Sequence, residues 1–467
     1  MLESEANPFV ERGRDHFEDG DYTAAINEFI NALDIDPHSI QAIEWLGNAY
    51  MALEWWEQAA LRFQQLFDLG ERRPDVYLLL GHALGNAGEP EKAIECYQLA
   101  ITKGLASAEV YTSLGYHLYD LGDFVGAAEA LEEASIFDPD DAEIWRMLCR
   151  TYQELYMEEA AVGAGRRARE CAPENPDSWF ALGAALMMSN ELREAEEALK
   201  EAILLDPEDA CQRAHLGDCY IAQERWGEAV AELRCSIKLD PEHWHAWYSL
   251  AQIYQFQQRS IEAEEAYNKA MEGLSSDYRL WMDYASFLCE KGKFEESLAA
   301  VETSLDIERG CASSWSLKAE ILGMMERYDA CREAAEKSLL LDSNDAVAWF
   351  WLGDCYGADC DFAEAIRCYA ESIKNDPADA RPVAAIGWVY LQVGSFIQAE
   401  TYLRQAIELD TEWAYPLIGL GGLYLHADDK IRAARVLKEA LDIEPENDEA
   451  KKLLSQALAE PTTASKQ

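Results

Sequence analysis

A single period runs through the chain and decides what it can fold into. Seven Leu-Gly pairs, Leu46-Gly47, Leu80-Gly81, Leu114-Gly115, Leu182-Gly183, Leu216-Gly217, Leu352-Gly353 and Leu420-Gly421, are separated by multiples of 34 residues. A frame opened at Ala6 puts all seven glycines at position 8 of a 34-residue unit, and thirteen such units reach Asn447 with no insertion or deletion. Position 8 is Gly, Ala or Cys in every unit (Gly13, Cys149, Ala251), and position 20 is Ala, Ser or Cys (Ala25, Ser297, Cys331). Position 27 is also small, with Leu66 as the exception. Small residues recurring at fixed places mark close helix crossings, where a larger side chain overpacks the contact by ~1–3 kcal/mol.

Bulky residues fill the slots between. Trp145, Trp179, Trp247, Trp281, Trp315 and Trp349 stand at position 4, and Tyr50, Tyr152, Tyr220, Tyr254, Tyr356, Tyr390 and Tyr424 at position 11. Positions 4, 7, 8 and 11 share one helical face, and positions 20, 24 and 27, as in Ala93-Tyr97-Ala100, share the face of a second helix. Proline at position 32 (Pro37, Pro139, Pro173, Pro207, Pro241, Pro377, Pro445) ends that second helix, because it cannot sit in a helix interior. Each unit is therefore expected to be a helix–turn–helix. A stack of identical pairs needs a polar-backed end, and Asp448–Ala459 supplies an amphipathic cap with Lys451 and Lys452 outward. The expected layout is an N-terminal extension over 1–5, thirteen units over 6–447, a capping helix over 448–459 and a disordered tail over 460–467.

These residues resemble the tetratricopeptide repeat, whose pattern is Trp-x-x-Leu-Gly-x-x-Tyr followed by Ala, an aromatic or Leu, Ala and Pro. The run Trp349-Phe350-Trp351-Leu352-Gly353-Asp354-Cys355-Tyr356, then Ala365, Tyr369 and Pro377, fills almost every slot. The units at 278–311 and 312–345 depart most, with Tyr284 and Lys318 at position 7 and Ser297 and Cys331 at position 20, so local rigidity is expected to be lowest there. The resemblance implies an all-α fold, a right-handed α-solenoid superhelix.

Charge narrows the function classes. The 39 Lys and Arg against 88 Asp and Glu give a net charge of −49, which repels nucleic acid and anionic lipid. No apolar run is long enough to span a bilayer, the start Met1-Leu2-Glu3-Ser4-Glu5 lacks the features of a secretory leader, and the twelve cysteines form no Cys-x-x-Cys. A reducing, cytoplasmic setting is expected.

No catalytic or phosphate-binding signature is present. Gly419-x-Gly421-Gly422 falls inside a first helix with no strand before it. His243-x-His245 lacks further ligands, and Cys355 and Cys368 suit core packing. The carboxylate pairs Glu132-Glu133, Glu196-Glu197, Glu264-Glu265 and Glu295-Glu296 fit a solvated outer face. No enzyme activity, cofactor or metal is expected.

The resemblance implies that the first helices line a concave groove through positions 2, 5, 6, 9, 12 and 13. Seventeen of these 78 positions are aromatic or Met, against 60 among all 467 residues, which singles the groove out as the interaction surface. The enrichment gathers at Phe180, Met187, Met188, Tyr248, Phe256, Met282, Met324, Phe350, Trp351 and Trp388. Packing between neighbouring first helices at positions 5 and 12 is the competing explanation. The groove is no more acidic than the chain as a whole, but its N-terminal half holds Asp120, Glu143 and Glu154 among nine acids against three arginines. A ligand with a basic stretch toward the N-terminal half and an apolar stretch toward the C-terminal half is expected. The lysine and asparagine clamp by which some family members hold acidic chaperone tails is absent: position 5 has no Lys, and Asn48 at position 9 stands opposite Glu44. The asparagine ladder of the glycosyltransferase relatives is missing too. The expected function is a non-catalytic scaffold holding an extended or helical peptide segment of a protein partner; the alternative is an accessory subunit of an enzyme on another chain.

Overall fold

The computed structural model describes residues 2–458, and all secondary structure among them is helical. Twenty-seven helices run from Leu2–Glu18 to Asp448–Leu458. Thirteen pairs follow the 34-residue frame, and one last helix remains. The opening helix starts at Leu2, so residues 2–5 extend the first repeat as helix rather than preceding it. The tail expected at 460–467 lies outside the described residues. The chain forms two compact units, one up to Ser249 and the other from Leu250.

The turns inside the repeats follow one recipe. Position 15 has a positive φ in all thirteen repeats, from Gly20 (80°) and Glu54 (59°) through to Asp428 (58°). The next amide then reaches back to the position-11 carbonyl, as Trp55 N does to Tyr50 O at 2.9 Å, closing the first helix with a Schellman motif. Only five of the thirteen residues are glycine, and Tyr156 and Cys360 hold the same left-handed conformation. Between repeats, position 34 caps the next helix: Ser39, Asp141, Asn175, Asp209 and Asp345 each accept from an amide of its first turn.

Packing explains the small residues. Every residue at positions 20 and 27 is fully buried, Leu66 included. A Cβ at Gly81 would lie 2.6 Å from the Tyr97 ring, and at Gly353 2.5 Å from Tyr369. Where position 8 is glycine, the large residue at position 24 thus packs against its bare backbone.

The position-4 tryptophans do something other than fill the core face on which their spacing places them. All six are only half-buried, and each indole N–H donates to the carbonyl six residues earlier, at position 32. The bonds run from Trp145 to Pro139 O (2.8 Å), Trp179 to Pro173 O (2.8 Å) and Trp349 to Ser343 O (2.9 Å), and likewise from Trp247, Trp281 and Trp315. In repeat 7, Arg213 takes the slot and its guanidinium makes the same bond to Pro207 O. In these seven repeats position 4 therefore locks the turn from the preceding repeat, whereas Ile43, Val383 and Leu417 at the same position are buried in the core.

Repeats 9 and 10, over 278–345, replace apolar contacts with polar ones. Ser297 Oγ donates to Ala285 O at 2.6 Å and Ser304 Oγ to Tyr278 O at 2.9 Å. Lys318 at position 7 turns out to Glu302 (2.7 Å), and Ala335 stands at position 24 where most repeats carry a ring or leucine. These hydroxyl bonds satisfy the carbonyls but add little apolar burial. Hydrogen exchange is expected to be faster in the helices of 278–345 than in those of repeats 2 and 3; slower exchange there would refute this account.

The last helix, Asp448–Leu458, buries Ala450 and Ala457 against the cluster containing Tyr424 and Leu437, and exposes Lys451 and Lys452.

Candidate functional site

In the unit from Leu250, the first helices Ala312–Met324, Ala346–Ala358, Ala380–Gln392 and Tyr415–His426 line a bowl of about 540 Å³. Four of the residues singled out from sequence meet there: Met324, Phe350, Trp351 and Trp388. Two close approaches make this possible. A Cβ at Gly323 would lie 2.2 Å from the Trp351 ring, and one at Gly419 3.2 Å from Trp388. Gly419 thus gives room to an indole and Gly421 to Leu437, which accounts for two glycines of the Gly419-x-Gly421-Gly422 run. Phe350 and Trp351 are 9% and 8% exposed, so they form the floor. Trp388 is half-buried and packs on Tyr415 with ring centroids 4.9 Å apart, while Trp413 stacks on the other part of that wall, 5.5 Å from Tyr415.

Polar groups that sequence reading missed complete the bowl. Asp354 lies among the aromatics, and Tyr369 Oη donates to its Oδ1 at 2.6 Å. No ion pair to Asp354 forms among the described residues. Burial pushes its carboxyl up to about 6, against the opposing pull of the Tyr369 bond and of Arg381. The Arg381 guanidinium is already engaged: it pairs with Asp379 (2.8 Å), lies 3.9 Å from Glu320, and sits 5.3 Å above the Phe350 ring. Burial also raises the Glu320 carboxyl. The indole N–H groups of Trp351 and Trp388 are buried and find no acceptor among the described residues. Two unsatisfied donors and a desolvated carboxylate thus meet in one cavity, each buried orphan donor costing about 1–3 kcal/mol.

The other sequence-predicted residues do not join this bowl. Phe256 is 67% exposed and lines a more polar cavity of about 560 Å³ with Gln252, Gln255, Tyr267 and Glu290. Met282 is half-buried outside both. In the unit up to Ser249, Phe180 meets His215 edge-on at 4.7 Å, and Met187, Met188 and Tyr248 are half-buried. Asp120, Glu143 and Glu154 are exposed. Glu143 pairs with Arg146, which also holds Asp177 at 2.7 Å, and Glu154 accepts from Tyr119 Oη at 3.2 Å. Part of the acidity expected to attract a basic ligand is therefore already balanced.

The remaining constellations have structural roles. His243 Nδ1 accepts from Ala246 N as the helix cap of repeat 8, and His245 Nε2 meets Asp218 at 2.9 Å. Cys355 and Cys368 are buried and Cys360 is exposed in its turn. Six of the eight carboxylates in the four pairs are exposed, as a solvated face requires, yet one member of each pair is engaged. Although burial works the other way, Lys200 and Arg225 hold Glu196 down to about 2. Glu264 pairs with Lys293 (2.8 Å) and Glu295 with Arg327 (2.6 Å) of the following turns, and Glu132 accepts from Tyr152 Oη at 2.6 Å. One member of each pair thus ties elements together. Among the described residues, no helix is long and apolar enough to cross a membrane.

Comparison with known proteins agrees with this architecture. Family models of the tetratricopeptide repeat match residues 13–54, 78–142, 186–253, 245–272, 346–379 and 380–412, together more than half of the chain. Tetratricopeptide repeat protein 8 of Caenorhabditis elegans is 27% identical over 127 residues, 27% of this chain and 25% of that protein. The BBSome complex member BBS4 of Bos taurus is 24% identical over 190 residues, 41% of this chain and 36% of its own. The chain thus spans between a quarter and about a third of these curated relatives. The crystal structure of the APC/C hetero-tetramer Cut9-Hcn1 aligns over 96% of this chain and 95% of its own, at a TM-score of 0.55 and 16% identity, a likeness of fold. With its helix pairs in register and the family's pattern matched along most of its length, the chain belongs to the tetratricopeptide repeat family, whose members generally mediate protein–protein interactions.

Proposed function

We propose that this protein is a non-catalytic scaffold that holds an extended or helical segment of a protein partner against its first helices, with the bowl around Trp388 as the principal anchor. The observation that carries this reading is the convergence of Met324, Phe350, Trp351 and Trp388 on one cavity. Aromatic and Met side chains are the ones interfaces favour, and a few buried anchors supply most of the binding energy. The descriptions of the relatives support a role inside an assembly, since BBS4 is named as a BBSome complex member and Cut9 belongs to an APC/C hetero-tetramer. Twelve free cysteines accord with work in a reducing compartment such as the cytoplasm.

The test begins with a photo-crosslinker at Gln392, on the rim of the bowl, which identifies the partner by mass spectrometry. Trp388→Ala is then expected to weaken that partner's affinity about tenfold or more, as hot-spot tryptophans do. Unchanged affinity sinks the reading. Phe350→Ala and Trp351→Ala are poorer probes: both residues are buried, and truncating them costs about 3–5 kcal/mol of stability whether or not they touch a ligand.

A further inference from the structure

The bowl has more negative charge than its own cation can balance. Arg381 faces three carboxylates, Asp379, Glu320 and Asp354, and is held by the first two. Asp354 has a single donor, the Tyr369 hydroxyl, and its other oxygen receives no hydrogen bond among the described residues. Around it stand Phe350, Trp351, Trp388, Trp413 and Tyr415, and aromatic faces attract cations. The protein already shows the pairing it favours here, a guanidinium over the Phe350 ring. A volume of about 540 Å³ admits a long side chain together with its backbone.

We infer that the bowl takes one basic side chain, Lys or Arg, of the partner's segment, its cation against Asp354 and its methylene stem along Trp388 and Tyr415. This rests on the scaffold reading above and names what the anchor recognises. It also places a basic determinant of the ligand in the unit from Leu250, where an apolar stretch was expected from the sequence. A peptide carboxylate is disfavoured because Arg381 is already engaged by Asp379 and Glu320. A free alkylamine fits the charge but leaves the exposed apolar rim at Met324 uncovered, so a residue within a chain is the occupant.

The experiment uses the full chain and four capped alanine heptapeptides carrying a central arginine, lysine, norleucine or glutamate, measured by titration calorimetry at pH 7.5. The arginine and lysine peptides are expected to bind at least about tenfold more tightly than the norleucine peptide, the combined worth of a desolvated cation–π contact and a charge-assisted bond. The glutamate peptide is expected not to bind, and cadaverine to bind more weakly than the lysine peptide. Asp354→Asn is expected to shrink the lysine-to-norleucine ratio to about twofold or less, in keeping with the aromatic share alone. Norleucine or glutamate binding as well as lysine, no peptide binding at millimolar concentration, or an unchanged ratio in Asp354→Asn each overturns the assignment. Tighter binding of cadaverine than of the lysine peptide overturns it in favour of a small-amine site. The scaffold reading is judged separately, by the effect of Trp388→Ala on the crosslinked partner.

Discussion

Leucine in place of Gly165 is expected to destabilise the protein by about 3 kcal/mol, the upper end of ordinary overpacking. The residue sits at position 24, where Leu131, Leu199, Leu233, Leu403 and Leu437 stand in other repeats, so the repeat pattern alone recommends leucine. The structure forbids it. A Cβ at Gly165 would lie 2.9 Å from Leu182 Cα and 3.3 Å from Leu182 N, in the backbone of the next repeat's first helix, and 3.4 Å from Cys149 Sγ. In nine other repeats the clash at position 8 is avoided by a glycine facing a large residue. Repeat 5 inverts the pair, with Cys149 at position 8 and Gly165 at position 24, and the following first helix moves into the space. A rotamer change relieves a side-chain clash, whereas a backbone contact yields only if a whole helix retreats. Adding Cys149→Gly is therefore expected to recover less than half of the loss. Urea unfolding of the single and double variants checks both statements, and a Gly165→Leu protein as stable as the parent would show that the repeat junction is far softer than its packing implies.

That inversion illustrates what the sequence could and could not show. Positions 8, 20 and 27 announced the helix pairs because close crossings admit only small residues, a constraint that Leu66 alone breaks. The left-handed residue at position 15 left no comparable trace. A single αL residue costs only about 1–2 kcal/mol, which the surrounding repeat absorbs, so Glu54, Tyr156 and Cys360 occupy it as well as Gly20 does. The tryptophans at position 4 were visible but misplaced: spacing puts them on the core face, and only coordinates show the indole N–H on the carbonyl of position 32. For the bowl, enrichment in aromatics and Met found Met324, Phe350, Trp351 and Trp388. Asp354 and Arg381 stayed hidden among the 88 acids and 39 bases, since a groove no more acidic than the rest offers no contrast. Trp413 sits at position 34, outside the groove positions, and enters the site only because the turn carries it there.

The same hidden carboxylate yields the second large effect: Asp354→Asn is expected to stabilise the protein at pH 7.5 by about 2 kcal/mol. Burial holds the folded-state carboxyl at about 6, against 3.8 for the unconstrained group, and a displacement of that size corresponds to about 3 kcal/mol of destabilisation once the group is ionised in both states. An asparagine keeps an acceptor for Tyr369 but brings an amide NH₂ that needs a partner of its own, which takes back part of the gain. The sign follows from proton uptake. Above pH 6 the folded and unfolded states are both ionised, and the folded one carries the full penalty. Between 6 and 3.8 the folded state binds a proton that the unfolded state still releases, so the parent gains stability as the pH falls. Below 3.8 both are protonated and the penalty is gone. The advantage of the variant is therefore complete above about pH 6.5 and small by pH 4. Glu320, whose carboxyl is also raised by burial, is present in both proteins and drops out of their difference. Chemical denaturation at pH 7.5 and pH 4.5 measures this directly. A variant less stable than its parent at pH 7.5 would show that Asp354 is held by favourable contacts and needs no cation. A variant more stable yet blind to the charge of the central peptide residue would mark Asp354 as a group kept for binding at the expense of the fold.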